Sequence, residues 1–511
     1  LAHRSGRNRR NRSENSSGGL TQLPWSQVEN PYKPFEILHD GQIDAICDAA
    51  YRILEEVGMD FLHEGAKEIF QKAGADVQGD RVKLDRNLIN QALKIAPTSF
   101  ILHARNPAHN LDLSPGNINF GSVASAPNVS DLDGGRRVGN QQDFRNLVKI
   151  CQSLNMIHFL GGYPVEPTDL PPRTRHLDCI ADLVTLTDKF YLAYALGSER
   201  ITDALQITYY AHGCKNWQEF GEKVRLGTVI NTSSPLRLDA VMIDGAFEMA
   251  RHNQLCIITP FTLSGAMAPV TIGGALAQQH AEALASMTLL QLFAPGCPIV
   301  YGGFTSNVDM KSGSPAFGTP ENVQATIIGG QLARRIGVPY RSSNANASNC
   351  VDAQATYESQ MSIWAATMGQ ANMVMHGAGW LEGGLCASYE KLILDAEMLQ
   401  MMSRILQPLE ISDGSLGIDA IKDVGPGGHF FGTAHTLERF QTAFYSPMVS
   451  DWSNFESWEE SGSKTATERA NMLYKKILAD YQPPELVNTR KEEIDAFVVR
   501  RKAEGGVSGE F

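Results

Sequence analysis

Between residues 117 and 405 the chain repeats one pattern: a short apolar run, a polar or glycine-rich turn, then a longer segment of helical periodicity. The apolar runs are INFGSVA, IHFLGGYPV, FYLAYAL, GTVINTSS, CIITPFTL and PIVYGGFT, followed by two more at 340–344 and 372–376. The helical segments fall at 141–154, 173–187, 200–212, 236–252, 273–293, 320–336, 353–369 and 388–405. Short apolar runs bounded by turns read as strands buried on both faces, and their alternation with helices implies a parallel sheet. Eight such units predict an α/β fold, a TIM (β/α)8 barrel over 117–405. No GxGxxG lies between a strand and a helix near the start, which argues against a doubly wound dinucleotide fold.

Outside that repeat the pattern changes. Residues 31–116 predict an N-terminal α+β segment, with helices at 40–57, 63–73 and 85–95 and a hairpin-like stretch beyond. In the first helix Ile43, Ile46, Ala50 and Leu54 form one stripe. Residues 406–511 predict a C-terminal helical extension packed on the barrel. It holds the loop GPGGHFFGTAHT, an amphipathic helix at 466–481 and a charged helix at 490–504 expected on the surface. The first 30 residues are expected to be a disordered basic tail. Its opening is arginine- and serine-rich without the apolar core of a secretory signal.

The net charge of −12 argues against a general nucleic-acid binder, which favours a basic surface. No run of about 18 apolar residues occurs, so no membrane-spanning helix is expected. Eight scattered cysteines form no CxxC, which fits buried reduced thiols in a cytoplasmic protein, and no local spacing announces a metal site. A barrel of this size is expected to self-associate.

A barrel places its chemistry at the carboxyl ends of the strands. Reading along those ends gives Ser122 and Ser125, Tyr163, Tyr194, Asn231 and Ser233, Phe261 and Ser264, Phe304, Asn344 and Asn346, then His376 and Trp380. This rim is aromatic and neutral-polar, without a paired acidic cluster, a phosphate-binding loop or a GxSxG elbow. It suits a cationic or zwitterionic ligand, because aromatic faces attract quaternary ammonium groups; packing inside the barrel is the alternative for each ring. His376 is a general base, a ligand contact or a hydrogen-bonded strand-end histidine. Glu382, in a glycine-flanked turn, is the strongest acidic candidate, since a carboxylate there seldom serves packing. Asp352 is a third candidate, with helix capping as its alternative. Glu390 and Asp395, within the last barrel helix, suit an ion pair or a solvated face. His429 and His435 lack a metal spacing and are candidates for a lid over the barrel mouth.

Four segments carry a family resemblance: VDAQATYES (351–359), HGAGWLEGGLCASYEKLILDAEML (376–399), GPGGHFFGTAHT (425–436) and LADYQPPELV (478–487). Through them the chain resembles the trimethylamine methyltransferase family, in its pyrrolysine-lacking, glycine-betaine-type branch. The resemblance implies a barrel that demethylates an N-methylated amine and passes the methyl group to the cobalt(I) of a cognate corrinoid protein, with tetrahydrofolate or a related carrier downstream. The chain lacks the DxHxxG motif of corrinoid proteins, so no cofactor is expected to be tightly bound here, and the corrinoid would come with the partner.

Every residue is standard, which turns the expectation from trimethylamine towards a quaternary amine such as glycine betaine. There the nitrogen already carries its charge, and a neutral amine leaves without a general acid. A box drawn from Tyr163, Tyr194, Phe304 and Trp380 would hold the ammonium. Asn231, Asn344, His376 or Arg341 would bind a carboxylate, and Glu382 would orient the cation or its loop. Three alternatives stand beside this: direct transfer from a betaine to tetrahydrofolate, a zinc-dependent methyltransferase, and a betaine-binding barrel without turnover.

Overall fold

The computed structural model describes residues 20–509. The tail expected up to residue 19 lies outside the described residues. Residues 20–30, assigned to that tail from the sequence, are placed: Val28–Glu29 forms a short strand against the barrel.

Eight parallel strands close on themselves. They are β1 (Asn117–Ser122), β2 (Phe159–Leu160), β3 (Phe190–Tyr194), β4 (Gly227–Asn231), β5 (Leu255–Thr259), β6 (Ile299–Gly302), β7 (Tyr340–Ser343) and β8 (Met373–Ala378). Each pairs with the next, and β8 returns to β1, so the expected (β/α)8 barrel is the fold. The helices that follow are α1 (Gln141–Ser153), α2 (Arg175–Leu186), α3 (Ser198–His212), α4 (Ala240–Arg251), α5 (Ile272–Phe293), α6 (Pro320–Ile336), α7 (Ala353–Met368) and α8 (Tyr389–Leu406). Their starts are set locally. Asn140, Asp239, Thr319, Asp352 and Ser388 each accept a hydrogen bond from a first-turn amide that has no partner within the helix.

The strand alternation sorts side chains into two cores. Phe190, Leu192, Leu255, Ile257, Val300, Met373 and Met375 point inward. Tyr191, Ala193, Cys256, Ile258, Ile299, Tyr301 and Val374 pack outward against the helices. The inner core is closed at the amino end by the antiparallel pair Ile101–Leu102 and Leu111–Asp112, through Leu102, Leu111 and Leu113. The second strand is shorter than its run IHFLGGYPV suggested. It meets β1 only at Gly121, and Val28–Glu29 takes the β1 edge below that point.

The N-terminal helices Asp40–Arg52, Glu64–Lys72 and Arg86–Leu93 all pack on α5. That second cover explains why α5 is buried nearly all round. Beyond the barrel, Ala466–Asp480 packs on α8 and α1. The last helix, Asn488–Ala503, is not simply a surface element: Ile494 and Phe497 are buried against α2 and α3, and Arg501 pairs with Asp203 of α3. Seven of the eight cysteines are buried and Cys350 is exposed.

Candidate active site

A cavity of about 460 Å³ opens at the carboxyl ends of the strands. Leu192 and Met375, the top of the inner core, form its floor. Its walls carry Tyr194 and Asn231 from β3 and β4, Phe261 and Phe304 after β5 and β6, Arg341 from β7, and His376 and Trp380 from β8 and the turn beyond.

Arg341 is 2% exposed. Its Nη1 reaches the Gly303 carbonyl at 3.3 Å, and its guanidinium lies 5.3 Å from the centre of the Phe304 ring. Its Nε is buried without a hydrogen-bond partner, and no carboxylate pairs with it among the described residues. Burial therefore pulls its pKa down to about 10. A buried cation without a counter-charge is costly, and it sits where a ligand would enter.

His376 lies in a register break of β8, with φ of 56°. That left-handed conformation is uncommon for a residue with a Cβ, and such strain concentrates at functional sites. The ring stands 4.1 Å from Trp380 and 6.1 Å from Phe304 between centroids, with Nδ1 3.3 Å from Ser343 Oγ. Burial, then the charge of Arg341, holds His376 well below the usual histidine range, so it is neutral at pH 7. Trp380 is held by its Nε1 donating to the Asn346 carbonyl at 3.2 Å, while Asn346 Nδ2 donates to the Trp380 carbonyl at 2.7 Å. Phe304 is the hub of the aromatic wall, stacked on Phe261 at 5.4 Å and 6.0 Å from Trp380. Opposite, the Tyr194 hydroxyl accepts from Ser125 Oγ at 2.9 Å and from the Tyr163 amide at 3.1 Å.

Eight of the residues singled out from sequence thus meet in one cavity: Ser125, Tyr194, Asn231, Phe261, Phe304, Arg341, His376 and Trp380. The other proposed site residues stand elsewhere. Tyr163 packs behind Tyr194, 4.4 Å between ring centres. Asn344 is fully buried and donates to the Gly377 carbonyl at 2.9 Å, bracing the His376 turn. Asp352 caps α7, its Oδ1 accepting from Ala355 N at 3.1 Å. Glu382 does not face the cavity: both its oxygens take the Arg136 Nε, at 2.9 and 3.0 Å, tying the 380–388 turn to the hairpin of Asn128–Asp131 and Gly135–Val138. His429 and His435 do not line the cavity; His435 Nε2 is 3.1 Å from the Gly414 carbonyl. Glu166, Thr259 and Met375 were not singled out, yet they line the cavity, as does Phe261 from the rim reading. An acidic side chain between Pro164 and Pro167, just past a strand, was the one signal available for Glu166.

A closed parallel barrel with an aromatic, largely neutral cavity at its carboxyl end defines a barrel enzyme acting on a small organic ligand. Comparison with known proteins makes this specific. Residues 3–506 match the family described as Trimethylamine methyltransferase (MTTB). The chain is 37% identical over 473 residues to a glycine betaine methyltransferase of Desulfitobacterium hafniense (strain Y51), covering 92% of this chain and 98% of that protein. It is 27% identical over 479 residues to a trimethylamine methyltransferase of D. hafniense (strain DSM 10664 / DCB-2), covering 92% and 94%. With a proline betaine:corrinoid methyltransferase of Eubacterium limosum it shares 26% over 474 residues, covering 89% and 96%. The chain belongs to the trimethylamine methyltransferase family, and it is a methyltransferase.

Proposed function

We propose that this methyltransferase demethylates a betaine, glycine betaine or a close analogue, and delivers the methyl group to a separate corrinoid protein. The observation that carries this reading is Arg341: a buried guanidinium without a carboxylate partner among the described residues, set beside an aromatic wall. A ligand carboxylate would supply the missing counter-charge, and Phe261, Trp380 and Tyr194 would surround the ammonium. The relatives named for glycine betaine and proline betaine fit the same substrate class.

The partner's cobalt(I) would supply the nucleophile that takes the methyl group. What this chain contributes is desolvation and alignment. The bond from the quaternary nitrogen to the methyl carbon breaks, and its electron pair returns to nitrogen, leaving a neutral tertiary amine. No proton moves, which agrees with a neutral His376 in the wall and with Glu382 occupied by Arg136. The apolar floor and aromatic wall exclude water, so the cation is held by ring faces and meets its acceptor without a hydration shell.

Calorimetric titration of the protein with glycine betaine, choline and trimethylamine tests the assignment. Glycine betaine is expected to bind at least about tenfold more tightly than choline, which keeps the ammonium but lacks the carboxylate. Equal affinity for the two would remove the carboxylate contact from the reading. The same titration probes the wall. Gly384 has φ of 104°, and a Cβ there would stand 2.6 Å from the Trp380 ring. Gly384→Ala is expected to displace Trp380 and weaken betaine binding roughly tenfold, the scale of one desolvated cation–π contact. Unchanged affinity would show that Trp380 is packing only.

A further inference from the structure

We propose that Glu166 is the acidic pole of the cavity and sets its selectivity for a cationic over a neutral quaternary centre. The inference rests on the betaine reading of the same site and deepens it. Of the described residues lining the cavity, Glu166 and Arg341 alone carry a formal charge, one of each sign. They lie on opposite sides of β8 and β1. Arg341 belongs to β7, and Glu166 follows β2, where its amide donates to the Ala126 carbonyl at 2.8 Å. The wall between them is neutral, with Ser125, Gly161, Met375 and the uncharged His376.

Neither charge is fully matched among the described residues. Glu166 Oε1 stands 3.8 Å from Arg175 Nη1, a long ion pair, and Oε2 is buried and accepts no hydrogen bond. Behind it lies a small polar space of about 30 Å³, bordered by Tyr163, Arg175, His176 and Arg200. Burial raises the Glu166 carboxyl above the usual carboxylate range, and the charges of Arg175 and Arg200 on that side oppose the rise. A cavity with one under-satisfied cation, one under-satisfied anion and apolar walls complements a zwitterion better than a simple amine or a simple acid. Arg341 would orient the substrate by its carboxylate, and Glu166 would favour a positively charged quaternary nitrogen at the other end. Glu166 is therefore a specificity residue that reads the positive charge of the quaternary nitrogen.

The test uses a pair of ligands of one shape: glycine betaine and tert-butylacetate, in which a neutral carbon replaces the charged nitrogen. Affinities are measured by calorimetry for the wild type, Glu166→Gln, Glu166→Asp and Arg341→Met, with thermal melting as a check on folding. The wild type is expected to prefer betaine. In Glu166→Gln the betaine affinity falls about tenfold while that for tert-butylacetate holds, so the preference shrinks by the same factor. Glu166→Asp keeps the charge on a shorter arm and retains more of the preference than Glu166→Gln. Arg341→Met weakens both ligands alike. A betaine preference in Glu166→Gln within twofold of the wild type overturns the role of Glu166 and leaves the betaine reading standing. Failure of wild type to bind betaine overturns both. If Glu166→Gln does not fold, Glu166→Ala takes its place: a betaine preference within twofold of the wild type together with normal melting counts against the proposal.

Discussion

Replacing Arg341 with methionine is expected to weaken betaine binding by at least a hundredfold and, at the same time, to raise the melting temperature of the free protein. Both effects come from one imbalance. Arg341 is buried, and burial takes it from its ordinary 12.5 to about 10, which corresponds to a cost of about 3 kcal/mol for keeping it charged in the folded state. The sign is clear. Below both values the guanidinium is charged folded and unfolded alike, so the folded protein carries the full cost at neutral pH, and the cost shrinks only as pH rises past 10. Methionine removes the charge, keeps a flexible apolar stem against Phe304 and relieves that cost. The bound ligand is affected in the opposite sense, because its carboxylate would enter a dry site with nothing to pair with. Losing one partner of a buried, hydrogen-bonded charge pair costs about 2–5 kcal/mol, and a cost of about 2.8 kcal/mol, well inside that range, is already a hundredfold.

Calorimetry and a thermal melt on one preparation decide the matter. A variant that binds normally removes the carboxylate contact. A variant that melts earlier than wild type shows that the guanidinium has compensation within the protein.

The barrel was legible because each unit repeats the same short strand and longer helix, and eight repeats average out errors at individual boundaries. The candidate site was legible where a lining residue lies within the strand near its carboxyl end, as Tyr194, Asn231, Arg341 and His376 do. Glu166 escaped because the run IHFLGGYPV put Tyr163 at the rim, whereas the strand ends at Leu160 and the chain bends back so that Val165 pairs beside Ala126 and Glu166 reaches the cavity. Of the two roles read for Glu382, orienting the cation or its loop, its pairing with Arg136 fits the second. A carboxylate in a glycine-rich turn looked free for chemistry, but its partner Arg136 is 246 residues away in sequence, on a hairpin after β1. Pairings across that distance leave no trace in local pattern. Asp352, by contrast, had its capping role written in its position before α7.

The same distance problem hides the support beneath His376 and Trp380, and it yields a second large expected effect. Within α8 Lys391 and Asp395 form an ion pair that is at most 2% exposed. Lys391 Nζ also donates to Ser359 Oγ at 2.8 Å, and Asp395 Oδ2 accepts the Gly379 amide at 2.9 Å. Gly379, with φ of 98°, is the pivot between His376 and Trp380, and a Cβ there would strike Val123 at 2.9 Å. The pair therefore anchors the turn that shapes the aromatic wall. Lys391→Met leaves the Asp395 carboxylate buried without its cation and is expected to destabilise the protein by about 3–5 kcal/mol. Adding Asp395→Leu removes the second charge and should recover most of that stability, since an apolar pair of similar volume is often as stable as a buried ion pair. It also leaves the Gly379 amide unpaired, so betaine affinity should stay low. Adding Asp395→Asn instead keeps a neutral acceptor for that amide, and affinity is expected to return along with stability. Denaturant unfolding reads the first quantity and calorimetric titration the second. If the Met/Leu variant binds betaine as the wild type does, Asp395 serves stability alone and the turn holds its shape without it.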